Sequence, residues 1–135
     1  MAVEFHDFSV KCKDIISDKA LQFLEEASSE LEAQTKRNQT RIDTGQTKGA
    51  WTHQVDESKY EAVVGNPLEN AIWEEMGTGE FALEGNGRKG GWFYVDDKGE
   101  GHFTRGKKPL RALHKAFTAN KAKIKARAEQ LFKGL

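Results

Sequence analysis

The chain has 135 residues, a formal net charge of zero and a single cysteine. This length predicts one domain over residues 1–135. The lone cysteine excludes an internal disulfide and a cysteine-based zinc site, and no apolar run reaches the ~20 residues of a membrane span. The first residues lack the basic and apolar regions of a secretory signal, so we expect synthesis in a cytoplasm.

Helical periodicity predicts a long first helix over about residues 10–37. Apolar side chains recur there at helical spacing, and glutamates and lysines fill the other positions. Phe8 and Ser9 have the residue types of a hydrophobic staple and an N-cap. A polar turn follows, in which Asp43 or Thr44 is expected to cap a short helical turn.

Two hairpins are predicted in the middle of the chain. Their strands are residues 51–56 with 59–65, and 92–95 with 102–104. Residues 68–76 between them predict a short helix, or an extended segment with a helical turn, that ends at Gly77. Pro109 suits the first turn of a last helix, whose expected bend is at 118–120.

This order of elements predicts an α+β fold. We expect a long N-terminal helix, an antiparallel sheet of about four strands, a short central helix and a C-terminal helix packed on the sheet. In the central segment, Trp73 and Met76 are expected to anchor the fold from inside. Glu74 and Glu75 would point about 100° apart on a helix, so we expect one surface acid and one interface acid. Replacing Glu74 by lysine should then leave the fold intact and damage assembly.

Catalytic and ligand-binding motifs are weak. Residues 85–90 match G-x-G-x-x-G, but a strand follows where the dinucleotide motif requires a helix, so residues 85–91 are predicted to be a flexible basic loop. The Asp-Thr-Gly triplet at 43–45 lacks the strand context of an aspartic protease. The histidines form no metal-binding pair; they are His6, His53, His102 and His114. We therefore expect no enzymatic activity, no cofactor and no metal.

The zero net charge hides an asymmetry. Residues 53–84 hold eight acids and one lysine, whereas residues 105–135 hold ten bases and one acid. Such a chain can attract copies of itself head to tail. Its basic end could instead bind nucleic acid, or simply form a solvated helix face.

Three segments together resemble one bacteriophage protein family. They are residues 41–45 (RIDTG) before Trp51, residues 64–66 (VGN) leading into 71–79 (AIWEEMGTG), and residues 106–113 (GKKPLRAL). In this order they resemble the small tail-component or neck proteins, which join head to tail in long-tailed phages. The resemblance covers about residues 10–120.

The resemblance implies a structural virion protein, assembled in the bacterial host cytoplasm, with no active site. It implies a ring of copies at the head–tail junction, with six as the expected number, acting in the neck, in tail completion or as a tail terminator. Expected partners are its own copies, a head-completion or connector protein and the tail tube protein. Genome DNA would pass through the ring, and no membrane is involved. The sequence leaves open whether the protein is a monomer before assembly.

Seven residues are candidates for a subunit or partner interface. They are Glu74, Glu75, Thr78, Arg88, Lys89, Arg105 and Lys108. Two alternatives remain open beside the assembly hypothesis. One is a small nucleic-acid-binding protein that uses the basic last helix and the Arg88–Lys89 loop. The other is a hydrolase that uses the acids of the central segment.

Overall fold

The structure is a computed structural model that describes residues 6–41 and 45–134. It is α+β, as predicted. In chain order the elements are α1 (Ser9–Asn38), α2 (Gln46–Gly49), β1 (Thr52–Asp56), β2 (Glu61–Gly65), α3 (Asn70–Met76), a 3-10 turn (Gly79–Phe81), β3 (Trp92–Val95), β4 (Gly101–Thr104) and α4 (Ala112–Phe132). The predicted cap at Asp43 or Thr44 lies outside the described residues.

Helix α1 is the long helix that its apolar periodicity predicts. Its two fully buried side chains are small and polar, Ser28 and Thr35. Each hydroxyl donates to a carbonyl one turn earlier, that of Leu24 or Leu31, at 2.6 Å. The hydroxyls are therefore satisfied within the helix, and their small size allows a second helix to approach closely.

That second helix is α4, which packs mainly on α1 rather than on a sheet. The two helices are antiparallel: Asn38 at the end of α1 donates to the carbonyl of Ala112 at 3.1 Å, and Glu26 in the middle of α1 contacts Arg127, near the end of α4, at 2.7 Å. The hydrogen bond from Arg127 lowers the pKa of Glu26 to about 2. The expected packing of the C-terminal helix on the sheet is thus wrong.

The start and middle of α4 also differ from expectation. The helix begins at Ala112, because Arg111 has a left-handed backbone (φ 58°) that interrupts helical geometry after Pro109. No break occurs at residues 118–120. The side chain of Asn120 is buried and donates to the carbonyl of Ala116 at 2.8 Å, so its amide is satisfied inside the helix.

Both predicted hairpins are confirmed, but the single sheet of about four strands is not. β1 pairs with β2, and β3 pairs with β4, in two separate antiparallel sheets. The first hairpin lies against α1. The second hairpin follows the long connection that contains α3 and occupies a different part of the molecule. Tight turns determine pairing within a hairpin, whereas nothing local requires the two hairpins to join.

The apolar core is small. Trp51 is 4% exposed, and its indole N–H donates to Gln39 at 3.3 Å. The other buried apolar residues are Ala71, Ala112, Ala116 and Leu131. Many larger apolar side chains among the described residues remain exposed.

The side chain of His53 connects the first hairpin to α1. Its Nε2 lies 2.8 Å from Glu25, and its Nδ1 lies 3.5 Å from Glu32. The hydrogen bond with Glu25, followed by the negative charges of Glu25 and Glu32, raises the pKa of His53 above its usual value.

This contact predicts a pH-dependent stability. Because the folded-state pKa of His53 is raised, its contribution is fully present below the unfolded pKa of about 6.5 and disappears as pH rises through the raised value. Replacing His53 by glutamine should therefore lower the free energy of unfolding more at about pH 5.5 than at about pH 9. Urea denaturation at the two pH values measures this. The same replacement at His114, which is exposed, is the control; an equal pH dependence in both variants would contradict the assignment.

Candidate subunit interface

The central segment is joined to the chain before α4 by strand-like hydrogen bonds. The N–H of Thr78 donates to the carbonyl of Lys107 at 2.9 Å, and the N–H of Glu80 donates to that of Arg105 at 2.9 Å. The hydroxyl of Thr78 also accepts from the N–H of Lys107 at 2.8 Å. We call this pairing of residues 74–80 with 105–114 the central link.

The glycines of the Gly-Thr-Gly turn allow this close approach. Gly77 and Gly79 both have positive φ, 79° and 61°. A Cβ atom on Gly79 would collide with the backbone of Arg105, and one on Gly106 would collide with the backbone of Thr78. The turn therefore requires glycine for its conformation and for its packing.

Glu74 lies inside the central link. It is 8% exposed, Arg41 lies 3.2 Å from its Oε2, and Lys107 binds its Oε1. Its carbonyl also accepts the N–H of Leu110 at 2.7 Å. Glu74 is thus not at an exposed position, because the chain itself supplies two cations that neutralise this carboxylate. This position opposes the expectation that its replacement leaves the fold intact.

Glu75 caps α4 from a different helix. Its Oε1 accepts the N–H of Leu113 at 3.1 Å, and its Oε2 accepts the N–H of His114 at 3.0 Å. These are the second and third residues of α4, whose amides have no partner within the helix. Arg111, which precedes α4, makes no side-chain cap. The carboxylate of Glu75 thus acts as the N-cap of α4, and it lies at the positive end of the helix dipole.

The remaining candidates lie at two places. Near the link, Arg105 contacts Glu80 at 3.3 Å, and Lys108 lies over the ring of Phe81 at 5.7 Å. The structure thus brings Glu74, Glu75, Thr78, Arg105 and Lys108 together around the central link. Arg88 and Lys89 belong to the loop before β3.

The basic loop 85–91 is attached at several points. Arg88 lies over the ring of Trp92 at 5.6 Å, and Lys89 is exposed. Glu80 accepts the N–H of Gly90 at 3.1 Å, and Gly87 packs on the backbone of Gly79. The flexibility expected of this loop stays a prediction, as does the role of the seven residues in an interface.

Trp73 does not anchor the fold from inside. It is 54% exposed and lies beside exposed Ile72 and Leu83. Of the α3 side chains, those of Ala71 and Glu74 are buried. The acidic residue takes the inward position because its cationic partners lie there, and the tryptophan is left on the surface.

One face of the β3–β4 hairpin is a highly exposed apolar surface. The sequence did not predict it. Phe93 is 80% exposed, Val95 70% and Phe103 51%. Phe93 and Phe103 are opposite each other in the register, with ring centroids 5.1 Å apart. We call Phe93, Val95 and Phe103 the apolar hairpin face. The alternation of the strand indicates that these three share a face, but only the structure shows that no residue of 6–41 or 45–134 covers it.

The turn of the same hairpin groups Asp96, Glu100 and His102 within 4.8 Å. Asp96 accepts the backbone N–H groups of Lys98 and Glu100 and contacts His102 at 2.7 Å. The hydrogen bond with His102, followed by the backbone bond from Glu100, holds the pKa of Asp96 below its usual value. These contacts account for the group as a stabilised β-turn.

The chain has no significant match to a protein-family model, a curated protein or a solved structure. Within residues 6–41 and 45–134, no helix combines the length and the apolar character that crossing a membrane requires.

The position of Glu74 predicts a large loss of stability when its charge is reversed. In Glu74→Lys, a third cation would lie beside Arg41 and Lys107 in a buried position. We expect a loss of about 3–5 kcal/mol in the free energy of unfolding, measured by urea denaturation. Glu57→Lys, in the exposed β1–β2 turn, should change little. Similar stability of the two variants would contradict the assigned role of Glu74.

The capping role of Glu75 predicts a smaller effect. In Glu75→Ala, two amides of α4 lose their acceptor, and we expect a loss of about 0.5–2 kcal/mol. Thermal unfolding followed by circular dichroism at 222 nm measures it, with exposed Glu69→Ala as the matched control. If both alanine variants have the same melting temperature as the wild type, Glu75 is not the cap.

Proposed function

We propose that this protein is a structural subunit of a bacteriophage or prophage virion that forms a ring at the head–tail junction and is needed to join tail to head. The family resemblance of its three motifs supports the phage assignment. The exposed apolar surface supports assembly as the activity, and it is the observation that carries the proposal.

The total accessible surface of the chain is large for a free monomer. The accessible surface of the chain is 9932 Å², whereas a compact monomer of this size exposes roughly 7,100 Å². Two exposed apolar patches stand out: the apolar hairpin face, and the group of Ile72, Trp73 and Leu83. Contiguous exposed patches with aromatic side chains are typical of protein interfaces.

The central acids have structural partners that oppose the hydrolase hypothesis. Glu74 is neutralised by Arg41 and Lys107, and Glu75 is bound to two backbone amides of α4. A catalytic carboxylate must be within reach of substrate, whereas both of these are engaged in holding the fold together.

The basic last helix remains the observation behind the nucleic-acid alternative. Part of its charge is already paired, because Arg127 contacts Glu26 and Lys123 lies 4.0 Å from Glu30. This pairing lowers the positive charge available to phosphate and favours the assembly hypothesis. The alternative predicts a DNA affinity that falls steeply with salt, which filter binding at several salt concentrations measures. Tight binding with a steep slope would favour it.

Deletion of the gene from the phage or prophage that carries it tests the proposed function. We expect lysates with filled heads and separate tails under the electron microscope, and restoration of joined virions when the wild-type gene is supplied. Complementation by Trp73→Ser should fail, because this exposed residue lies in an interface patch, whereas complementation by exposed Ala119→Ser should succeed. Normal virions from the deletion strain would overturn the proposal.

A further inference from the structure

The β1–β2 hairpin has an exposed face that points away from α1. Burial alternates along both strands, and the inward residue His53 contacts α1. The outward side chains include those of Asp56, Glu61 and Val63, and Glu57 follows in the turn. Val63 is 64% exposed, and the four residues line a shallow open cleft of about 470 Å³. We call these four residues the acidic hairpin face.

The acids of this face repel one another. Asp56 and Glu61 are directly opposite in the strand register, and like charges in that position destabilise a sheet. Hydrogen bonds from the side chain of Ser58 and from the backbone N–H of Lys59 hold the pKa of Asp56 below its usual value. Protonation therefore does not relieve the repulsion near neutral pH. Residues 52–65 hold three acids against one lysine, so the hairpin keeps a negative surplus.

Helix α4 presents a basic face on the side away from α1. Phe117, Lys121 and Lys125 recur every four positions, so they share one side of the helix, and all three are exposed. We call them the basic helix face. Lys121 and Lys125 make no ion pair within the described ranges. The acids of α1 that face α4 are paired with other bases, Lys123 and Arg127. Because α4 has five bases and one acid, its outward side keeps a positive surplus.

The two faces cannot contact each other within one copy. Helix α1 carries the hairpin and α4 on different sides: His53 of the hairpin contacts Glu25 and Glu32, whereas α4 contacts Glu26 and Glu30. Adjacent positions of a helix point about 100° apart. The outward sides of the hairpin and of α4 therefore point away from α1 in different directions, and each needs a partner from another molecule.

We propose that the basic helix face of one copy docks on the acidic hairpin face of a second copy. This inference rests on the proposed function, because it names a contact between neighbouring subunits of the ring. The spacing of side chains on the two faces matches. Phe117 and Lys121 lie about 6 Å apart along the helix axis, and Val63 and Glu61 lie about 7 Å apart along the strand. Phe117 then packs on Val63 while Lys121 reaches the acids.

The same register explains the charges. Lys121 lies between Asp56 and Glu61, where a cation offsets the repulsion of the two carboxylates. Lys125, about 6 Å further along the helix, lies at Glu57 in the turn. Complementary charges of this kind orient two surfaces and exclude other pairings, and the apolar pair beside them adds buried area.

The contact is heterologous, because a hairpin on one copy meets a helix on the next. Repetition of such a contact gives a closed ring when the rotation between copies closes, and an open filament when it does not. The arrangement leaves the apolar hairpin face and the patch around Trp73 for other partners in the virion.

Disulfide trapping between two singly substituted proteins tests the proposal. In a Cys12→Ser background, Val63→Cys places a thiol on the acidic hairpin face and Phe117→Cys places one on the basic helix face. The two purified proteins are mixed at low ionic strength and oxidised with copper phenanthroline. We expect a covalent heterodimer in excess over the dimers of either protein alone. Ala119→Cys, exposed on another side of α4, is the matched control and should give no excess with Val63→Cys.

Charge reversal tests the pairing itself. Glu61→Lys, added to the Val63→Cys protein, should lower the heterodimer yield at least about fivefold, because two lysines then face each other. Lys121→Glu, added to the Phe117→Cys protein, should lower it likewise. Mixing the two charge-reversed proteins should restore the yield. Both positions are exposed, and a variant that merely misfolds would not be restored by its partner.

Three outcomes would overturn the proposal. No excess over the Ala119→Cys control would leave the basic helix face to nucleic acid or to another protein. Predominant dimerisation of Val63→Cys alone would indicate pairing of two hairpins. Charge-reversed proteins that fail to restore the yield would show that these residues do not face each other. Virion joining in the deletion strain is measured separately, so failure of this contact and failure of the proposed function are distinguished.

Discussion

Two adjacent carboxylates, Glu74 and Glu75, join α3 to the segment that leads into α4. They point in different directions from α3 and bind different parts of the same downstream segment. Glu74 is neutralised by Arg41 and Lys107, and Glu75 caps the first amides of α4. The chain before α4 is also held by backbone pairing with the Gly-Thr-Gly turn and by the contact of Arg105 with Glu80. The start of α4 is thus positioned by a helix almost 40 residues earlier in the sequence.

The rest of the architecture depends on this positioning. Helix α4 runs antiparallel along α1, and the small side chains buried on the two helices, Ala112 and Ala116 on α4 and Ser28 and Thr35 on α1, allow a close approach. The core that results is small. The fold is therefore stabilised both by the packing of α1 on α4 and by the central link. The second hairpin is joined to the rest of the described chain beside the link, where Glu80 accepts the N–H of Gly90 and contacts Arg105. This explains why its apolar face remains uncovered and available to a partner.

Sequence patterns predicted the elements well because they are local. Periodicity gave α1, and turn residues gave both hairpins together with the Gly77 end of α3. Apart from the start of α4 and the bend expected at 118–120, the failures are non-local. The capping of α4 by Glu75, the burial of Glu74 in place of Trp73, and the packing of α4 on α1 depend on residues distant in sequence. An acidic pair on a short helix has the same local pattern whether its partners are its own chain or a neighbour. Of the candidate site, the sequence singled out Glu74, Glu75 and Thr78 but not their partners within the chain, and it did not predict the apolar hairpin face.

The central claim is that the link between residues 74–80 and 105–114 is a stable part of the isolated subunit. Native-state hydrogen exchange of single amides tests it most directly. The account predicts that the amides of Thr78, Glu80, Leu110 and Leu113 exchange about as slowly as those in the middle of α1. Exchange of these four amides at the rate of an unstructured chain, while α1 and α4 remain protected, would contradict it.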